Sequence, residues 1–487
     1  LAQLVEQFPF KEWVDGSSPS GLTKKTFVYK KFKLMHINNY TGQNYSNLDL
    51  GTSKILYPLN TTEILEVIDY AKVNKKKILC IGSSLSWYDT ILNTNNIIIN
   101  LKKFEKTFDL NEETNILTVS TSYKINEILD KLSSNNLSLY SIPGHLDVTI
   151  GGCVANDVHG KDTFKFGNFG NSILDLEIIL PNKEIVICSD ELDKNLFLAT
   201  IGGLGLTGVI TKIRIKLKKI SNFYETESTM CGNYKELIKS LYENNNMYDY
   251  IYGWVDIHST KDSFGRGIIF KSKKKLDAVT LKRVPFFENN ISTYLKGLLF
   301  SFCIRKNLIK YLNILFYFTH LINKKKTQSY KNLTSPLKDS GLDLKKIKLC
   351  PPNSFYEIQV IIKNENLIPS LYKFIKKCQD LKLQGSIVGI KIHKKNNAFI
   401  SFSDNGISIN VNHIFKHQDK QRIALKFKEL HDFVIENNFK INIAKDFFFD
   451  KKSFEKNYDN CGEFFSTRKR IDEMNIFQSD FLTRINK

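Results

Sequence analysis

His159 and Lys161 stand two residues apart in the run Asp157-Val158-His159-Gly160-Lys161, and glycines surround them. Pro143-Gly144 through Gly151-Gly152 precedes this run, and Gly167-Asn168-Phe169-Gly170-Asn171 follows it. An imidazole can donate or accept a proton near neutral pH, and a lysine brings a point charge. Glycine allows positive φ and leaves room for a flat ligand against the main chain. A surface loop with incidental charges is the plainer reading of an irregular stretch this long. Val148, Ile150, Val154 and Val158 argue against disorder. His145, Asp157 and His159 lack the partner set of a metal centre, so no metal is expected.

Two more glycine- or serine-rich segments could serve a ligand. Ile81-Gly82-Ser83-Ser84-Leu85-Ser86-Trp87 follows an apolar run, and its small residues would let main-chain N–H groups approach a pyrophosphate. A serine-rich surface turn would look the same. Gly202-Gly203-Leu204-Gly205-Leu206-Thr207-Gly208 contains GxGxxG counted from Gly203. A Rossmann site needs a strand before that motif and a helix after it. Here Leu196 to Ala199 reads as a helix end and an alternating strand follows, so both flanks are wrong.

The elements that must hold these segments are mixed. Asn60-Thr61-Thr62-Glu63 is a helix start, and Ile64, Leu65, Ile68 and Ala71 continue at helical spacing. Ile78 to Ile81 predicts a strand ending at Gly82. Ile97 to Leu101 and Ile116 to Val119 predict strands around a polar turn, and Ile125, Ile128, Leu129 and Leu132 a helix. Leu174 to Leu180 and Glu184 to Cys188 predict a hairpin across Pro181-Asn182-Lys183. From Val209 to Ile220, Ile213, Ile215 and Leu217 alternate with Arg214, Lys216 and Lys218, which predicts a strand with a basic outer face. The glycine-rich character stops there, which marks a domain boundary.

The 487 residues suffice for two or more domains. The formal charge of +20 admits acidic partners. Lysine is spread along the whole chain, so most of it reads as solvated surface. The eight cysteines form no CxxC pair and no zinc spacing, which fits a reduced, cytoplasmic setting. No signal peptide is visible near Leu1, and no run reaches the ~18 apolar residues of a membrane-spanning helix. Val284 to Lys326 combines apolar, aromatic and basic groups, ending in Lys324-Lys325-Lys326. Such a stretch suits either an interfacial segment on an anionic membrane or a buried helix pair with a basic rim.

Taken in order, Gly82 to Trp87, Thr149-Ile150-Gly151-Gly152, His159-Gly160-Lys161, Phe169-Gly170-Asn171 and Gly202 to Gly208 resemble the FAD-binding domain of the vanillyl-alcohol-oxidase (PCMH-type) superfamily. Within it the chain resembles the decaprenylphosphoryl-ribose 2-oxidase group, from about residue 40 to the C-terminus, densely over 140–215 and thinly over 270–350. The resemblance implies an α+β, two-domain fold: a FAD-binding domain over 1–222, a separate α/β substrate domain over 223–439, and a return of 440–487 to the first domain. It implies that Gly82, Ser83, Ser84, Leu85 and Ser86 hold the pyrophosphate, and that Gly144, Thr149, Gly152, His159, Gly160 and Val209 line the cofactor. No His or Cys follows Gly82 in the first loop, so the FAD is expected to be non-covalent, with His159 and Cys153 as nearby alternatives.

On the substrate side the resemblance implies Lys161, Trp254, Gln359, Lys391 and Asn410, with Lys445 beside the flavin. Taken singly, each lysine reads as surface and Trp254 as core. Lys445 and His159 are the candidate catalytic groups: Lys445 to stabilise the reduced cofactor or act as base, His159 as the competing base. Trp87 stands where the family carries a tyrosine, with Tyr88 next to it. Asn410 stands at a family cysteine, and Ser84 and Leu85 where the family has more glycine and an arginine. The implied reaction oxidises a sugar hydroxyl, at C2 of a polyprenylphosphoryl ribose, as the first half of an epimerisation to arabinose. A lipid-linked sugar phosphate and an NADH-dependent reductase are the implied partners, and the inner face of the membrane the implied place. A sugar-lactone or alditol oxidase, an inactive FAD-binding scaffold, and a basic nucleic-acid-binding protein are the alternatives. No nucleic-acid motif is present, so no nucleic-acid partner is expected.

Overall fold

The computed structural model describes residues 38–41, 51–275, 302–303, 308–321, 325–334, 353–385 and 388–486. A small sheet opens the chain, with β1 (Asn38–Thr41), β2 (Thr52–Leu56), β3 (Ile78–Ile81) and β4 (Ile97–Asn100) in the order β1-β2-β4-β3. β4 lies parallel to both β2 and β3. The crossover helix α1 (Thr61–Val73) is capped by Asn60, whose side chain accepts from the Glu63 N–H. It buries Ile64, Val67, Ile68 and Ala71, the stripe that helical spacing dictates.

A second sheet has the order β5-β6-β10-β8-β9, formed by β5 (Phe108–Asn111), β6 (Ile116–Ser120), β8 (Ile173–Ile179), β9 (Ile185–Ser189) and β10 (Val209–Lys216). The strands expected at 97–101 and 116–119 therefore lie in different sheets. It is β5 that pairs with β6; its Phe108 and Leu110 are only half-buried between exposed residues, too weak a pattern to read beforehand. The strand expected from Val209 to Ile220 also divides. Pairing with β6 ends at Lys216, and Lys218–Lys219 (β11) turns away to pair with β7 (Leu137–Ser138).

Helices α2 (Ile125–Leu132), α3 (Ile150–Ala155), α4 (Thr163–Phe166) and α5 (Lys194–Thr200) complete this half. The stretch expected as irregular loop thus holds two short helices. Gly151 and Gly152 in the first turn of α3 hid it, because glycine costs ~1 kcal/mol in a helix. Thr149 offsets this as N-cap, its hydroxyl accepting from the Gly152 N–H.

The other half is one eight-stranded sheet, built from β12 (Phe223–Cys231), β13 (Tyr250–Val255), β14 (Gly267–Lys274), β15 (Lys325–Ser329), β16 (Asn353–Lys363), β17 (Gly389–His393), β18 (Gly406–Lys416) and β19 (Lys440–Ile441). Its order is β15-β12-β14-β13-β17-β18-β16-β19. Every pairing is antiparallel. Helices α6 (Tyr234–Tyr242), α9 (Leu367–Asp380) and α10 (Lys420–Glu436) cover one face. Leu237, Leu371, Phe374, Phe427 and Leu430 pack there on Ile269, Val360, Ile390 and Ile409. α7 (Ile309–Thr319) lies against part of the other face, and α8 (Tyr330–Thr334) follows β15.

Because β19 belongs to this sheet, the sheet runs two residues past 439 before the chain turns back. The tail forms α11 (Lys451–Asn457), α12 (Cys461–Ile471) and α13 (Asp480–Ile485). α11 stays on the large-sheet half, where Asn457 accepts from the Ile441 N–H and donates to the Phe439 carbonyl. The rest of the tail packs on the first half: Arg468 donates to the Leu206 carbonyl, Arg484 pairs with Asp89, and Phe477 bridges to Ile78. No helix among the described residues is long and apolar enough to cross a membrane.

Candidate functional site

The first loop leaves β3 at Gly82. A Cβ there would run into the Thr149 hydroxyl, so loop and α3 cap meet at glycine contact. Ser83 Oγ donates to the Asp147 carbonyl at 2.6 Å, tying the loop to the segment between Gly144 and Thr149. Ser84 has φ +57°, the left-handed conformation that favours glycine. Among the described residues, none accepts a hydrogen bond from the main-chain N–H of Ser83, Ser84, Leu85 or Ser86. Among the described residues, its chain neighbours apart, none lies within 4 Å of where a Gly144 Cβ would stand. A run of unengaged N–H groups beside open space suits an anionic, flat group. Gly160 is spent on packing, its Cα against the Ser141 main chain and the Asp162 carboxylate. The Val209 side chain lies in the core with Leu56, Ile64 and Ile179, which leaves only its main chain for a ligand.

Opposite stands the second face of the large sheet, which α7 covers in part. Side chains alternate along a strand, so residues two apart share a face. Trp254 of β13, Glu357 and Gln359 of β16, Lys391 and His393 of β17, and Asn410 of β18 all fall on this face through the registers Trp254↔Gly389, Lys391↔Ser408 and Gln359↔Asn410.

His159 reaches it from the first half. Its Nε2 lies 3.3 Å from Gln359 Oε1 and its Nδ1 3.4 Å from Lys391 Nζ. The tautomer follows from the neighbours. Ala444 N–H donates to Asn442 Oδ1, which turns Asn442 Nδ2 toward Gln359 Oε1. Gln359 Oε1 is thus an acceptor, His159 Nε2 carries the proton, and Nδ1 accepts from Lys391.

Burial, then the positive charge of Lys391, with His393 and Lys445 acting in the same direction, holds His159 well below the ordinary histidine range. Burial and the Lys445 charge bring Lys391 down to about 8, against the opposing pull of Asp162 and Glu357. Burial and Lys391 bring His393 down to about 3. Lys445 Nζ is 2.6 Å from Glu357 Oε1 and 5.5 Å from the centre of the Trp87 ring.

The remaining expected residues are placed differently. Lys161 turns away from His159: it donates to the Leu333 carbonyl and lies 3.9 Å from the Tyr252 ring centre. Trp254 sits beneath α7, edge-on to Phe316 and packed with Ile268, Phe270 and Tyr317. Asn410 Oδ1 accepts from the Gly389 N–H at 2.8 Å. Cys153 is wholly buried in the core, and burial pushes its thiol far up. Among the described residues no three His, Cys, Asp or Glu side chains could hold a metal ion.

Sequence reasoning missed Glu357 and His393. Both lie two residues from an expected residue, so strand alternation was the available signal. Tyr88 was noted beside Trp87, but its partner was not foreseen. The hydroxyl displaced from position 87 is buried and bonds the Glu357 main chain.

Residues 52–189 match the family model of an FAD binding domain. Decaprenylphosphoryl-beta-D-ribose oxidase of Mycolicibacterium smegmatis is 26% identical over 216 residues, 44% of this chain and 47% of the relative. L-gulonolactone oxidase of Mus musculus is 24% identical over 209 residues, 42% of this chain and 47% of the relative. Cytokinin dehydrogenase 3 of Oryza sativa subsp. japonica is 32% identical over 156 residues, 30% and 29% of the two chains. The matches thus span less than half the length of these curated relatives. The unengaged N–H groups of the first loop, the open space at Gly144 and these matches agree: residues 52–189 are an FAD-binding domain, of the kind found in the PCMH-type FAD oxidase superfamily.

Proposed function

We propose that this chain is an FAD-dependent oxidoreductase that oxidises a secondary hydroxyl of a sugar, at C2 of a polyprenylphosphoryl ribose, as the first half of an epimerisation to arabinose. The observation that carries the reading is the cluster of His159, Lys391, Gln359, Lys445 and Glu357 on the sheet face opposite the FAD loop. Bound FAD supplies the hydride acceptor. The N–H groups of Ser83 to Ser86 hold its pyrophosphate. His159 stays neutral because it is buried among positive charges, so a substrate hydroxyl that takes the place of Lys391 at Nδ1 meets a lone pair able to accept its proton. Lys391 then offers its charge to the substrate phosphate, and Lys445 places a positive charge where reduction of the cofactor builds negative charge. Both His159 nitrogens are engaged and Cys153 is buried, which supports non-covalent FAD.

A lipid-linked substrate calls for a lipid surface. α7 turns apolar groups outward: Leu315 is 63% exposed and Phe318 49%, with Tyr311, Ile314 and Leu321 beside them. In this reading α7 rests on the inner face of an anionic membrane, and the keto product passes to an NADH-dependent reductase. Lys324 and the run 284–301, part of the stretch singled out in the sequence, lie outside the described residues.

The test is the visible spectrum of the purified protein before and after acid precipitation, followed by anaerobic addition of a polyprenylphosphoryl-ribose analogue. Acid-released flavin that bleaches with the analogue is the expected result. Bleaching by a sugar lactone or alditol alone would replace the substrate assignment. Flavin bound through acid treatment would overturn the non-covalent reading. Co-sedimentation with anionic vesicles, lost in Leu315→Asp with Phe318→Asp, tests the membrane contact.

A further inference from the structure

Glu357 is a carboxylate beside the cations Lys445 and Lys391, and no proton or hydride step proposed above uses it. Its side chain is 4% exposed and its Oε1 lies 2.6 Å from Lys445 Nζ. Both ends of this pair are fixed. Tyr88 Oη accepts from the Glu357 N–H at 2.7 Å and donates to the Glu357 carbonyl at 2.8 Å. Next to Lys445, Asp446 bonds His431 Nδ1 at 2.7 Å and accepts from the Phe448 and Phe449 N–H groups. The ammonium therefore sits between the Trp87 ring of the FAD loop and a clamped carboxylate. The charge of Glu357 is also felt at Lys391, where it opposes that of Lys445.

We propose that Glu357 is the positioning residue of Lys445: it fixes the ammonium in the cleft and offsets its charge, so that the redox potential of the bound flavin is set by the pair. This rests on the reading that Lys445 stands beside the flavin. A bare ammonium at that place favours electron gain by the cofactor, and a carboxylate in contact with it weakens the effect. The proton and hydride inventory of the reaction is unchanged; Glu357 acts through its own charge and its hold on Lys445.

The experiment uses the FAD-loaded full chain and reads two properties that do not depend on turnover: the flavin midpoint potential and the affinity for sulfite, which adds to electron-poor flavins. Glu357→Gln is expected to raise the potential and tighten sulfite binding about tenfold, equivalent to ~1.4 kcal/mol. Lys445→Met is expected to lower both. The double variant should lie above Lys445→Met by less than Glu357→Gln lies above the parent, because without the ammonium only the carboxylate's own field, and not its hold on Lys445, is lost. An unchanged potential in Glu357→Gln, with a lowered one in Lys445→Met, overturns the proposal and leaves the placement of Lys445 intact. No change in either variant overturns both. Should Glu357→Gln fail to retain FAD, Glu357→Asp keeps the charge and withdraws it by one methylene; a raised potential there supports the proposal, and an unchanged one overturns it.

Discussion

Tyr88 completes the hydrogen bonding of β16 at Glu357. One buried hydroxyl serves both the N–H and the carbonyl of that residue, as a neighbouring strand would. β19 pairs with β16 only at Val360 and Ile361, so Glu357 lies beyond its reach. The contact joins the first loop to the large sheet at the point where the Lys445 pair is held.

Tyr88→Phe keeps the ring and strips this contact. A buried N–H and a buried carbonyl would then lack a partner, which costs about 1–3 kcal/mol. Urea unfolding of the FAD-loaded protein should show a loss of that size. A loss below ~0.5 kcal/mol would mean that water or the strand itself satisfies both groups.

The first loop allows an opposed pair of substitutions. Gly82→Ala drives a Cβ into the Thr149 hydroxyl, and Thr149 in turn caps α3. We expect weakened FAD binding and a stability loss of roughly 1–3 kcal/mol, the range for overpacking. Ser84→Gly removes a side chain from a residue at φ +57°, a conformation that costs an L-residue ~1–2 kcal/mol. Set against the greater freedom of glycine in the unfolded chain, the net effect should be near neutral or slightly stabilising, with FAD retained. FAD titration and thermal melts of both variants separate the two expectations.

A buried ion pair braces the turn that carries His159 and Lys161. Lys218 Nζ lies 2.5 Å from Asp162 Oδ2, with the two side chains 10% and 1% exposed. The Tyr250 ring centre is 4.8 Å from the ammonium, and Tyr140 and Phe166 flank it. Burial, the largest single influence, pulls Lys218 down, but Asp162 with Tyr330 and Tyr224 together outweigh it and the lysine is raised above its ordinary range. Lys218→Met leaves the buried carboxylate without its counter-charge, with the Ser141 N–H still donating to it, and breaking such a pair typically costs about 3–5 kcal/mol. Lys218→Met with Asp162→Asn should recover part of that loss. A single variant as stable as the parent in urea would show that Asp162 reaches solvent.

Local pattern made much of the fold legible. The α1 stripe, the hairpin at Pro181 to Lys183 and the alternation of β10 were all readable because neighbouring residues carried the signal. What stayed hidden depends on partners distant in sequence. α3 was concealed by its glycines, and β5 by a weak pattern that only β6 completes. In the site, Gln359 and Lys391 were reached through resemblance, and their i±2 neighbours Glu357 and His393 were overlooked. That Lys161 turns to Tyr252 while Lys391 meets His159 is decided by how the two halves dock, which no local pattern records.

Several histidines are held neutral by the fold, and this sets its response to acid. Burial and Lys391 bring His393 down to about 3; burial, then Lys426, Arg422 and His258, bring His413 down to about 4. His159 is lowered as well. His393 faces Ser408, His159 and Phe402, and its Nδ1 has no hydrogen-bond partner among the described residues. A proton there would be a buried charge without an acceptor. Below pH ~6.5 the unfolded chain takes up these protons and the folded chain does not, so stability falls as pH falls. Each histidine contributes a slope of ~1.4 kcal/mol per pH unit until its folded pKa is reached. Lys391 adds nothing in this window, since its folded value of about 8 and its higher unfolded value both lie above it. Urea unfolding at pH 7.5, 6.0 and 5.0 should therefore show a steep loss that begins near pH 6.5, and His393→Asn should flatten it by about one histidine's share. Stability that stays level from pH 7.5 to 5.0 would mean that the rings take up protons in the folded state and that the site is open to water.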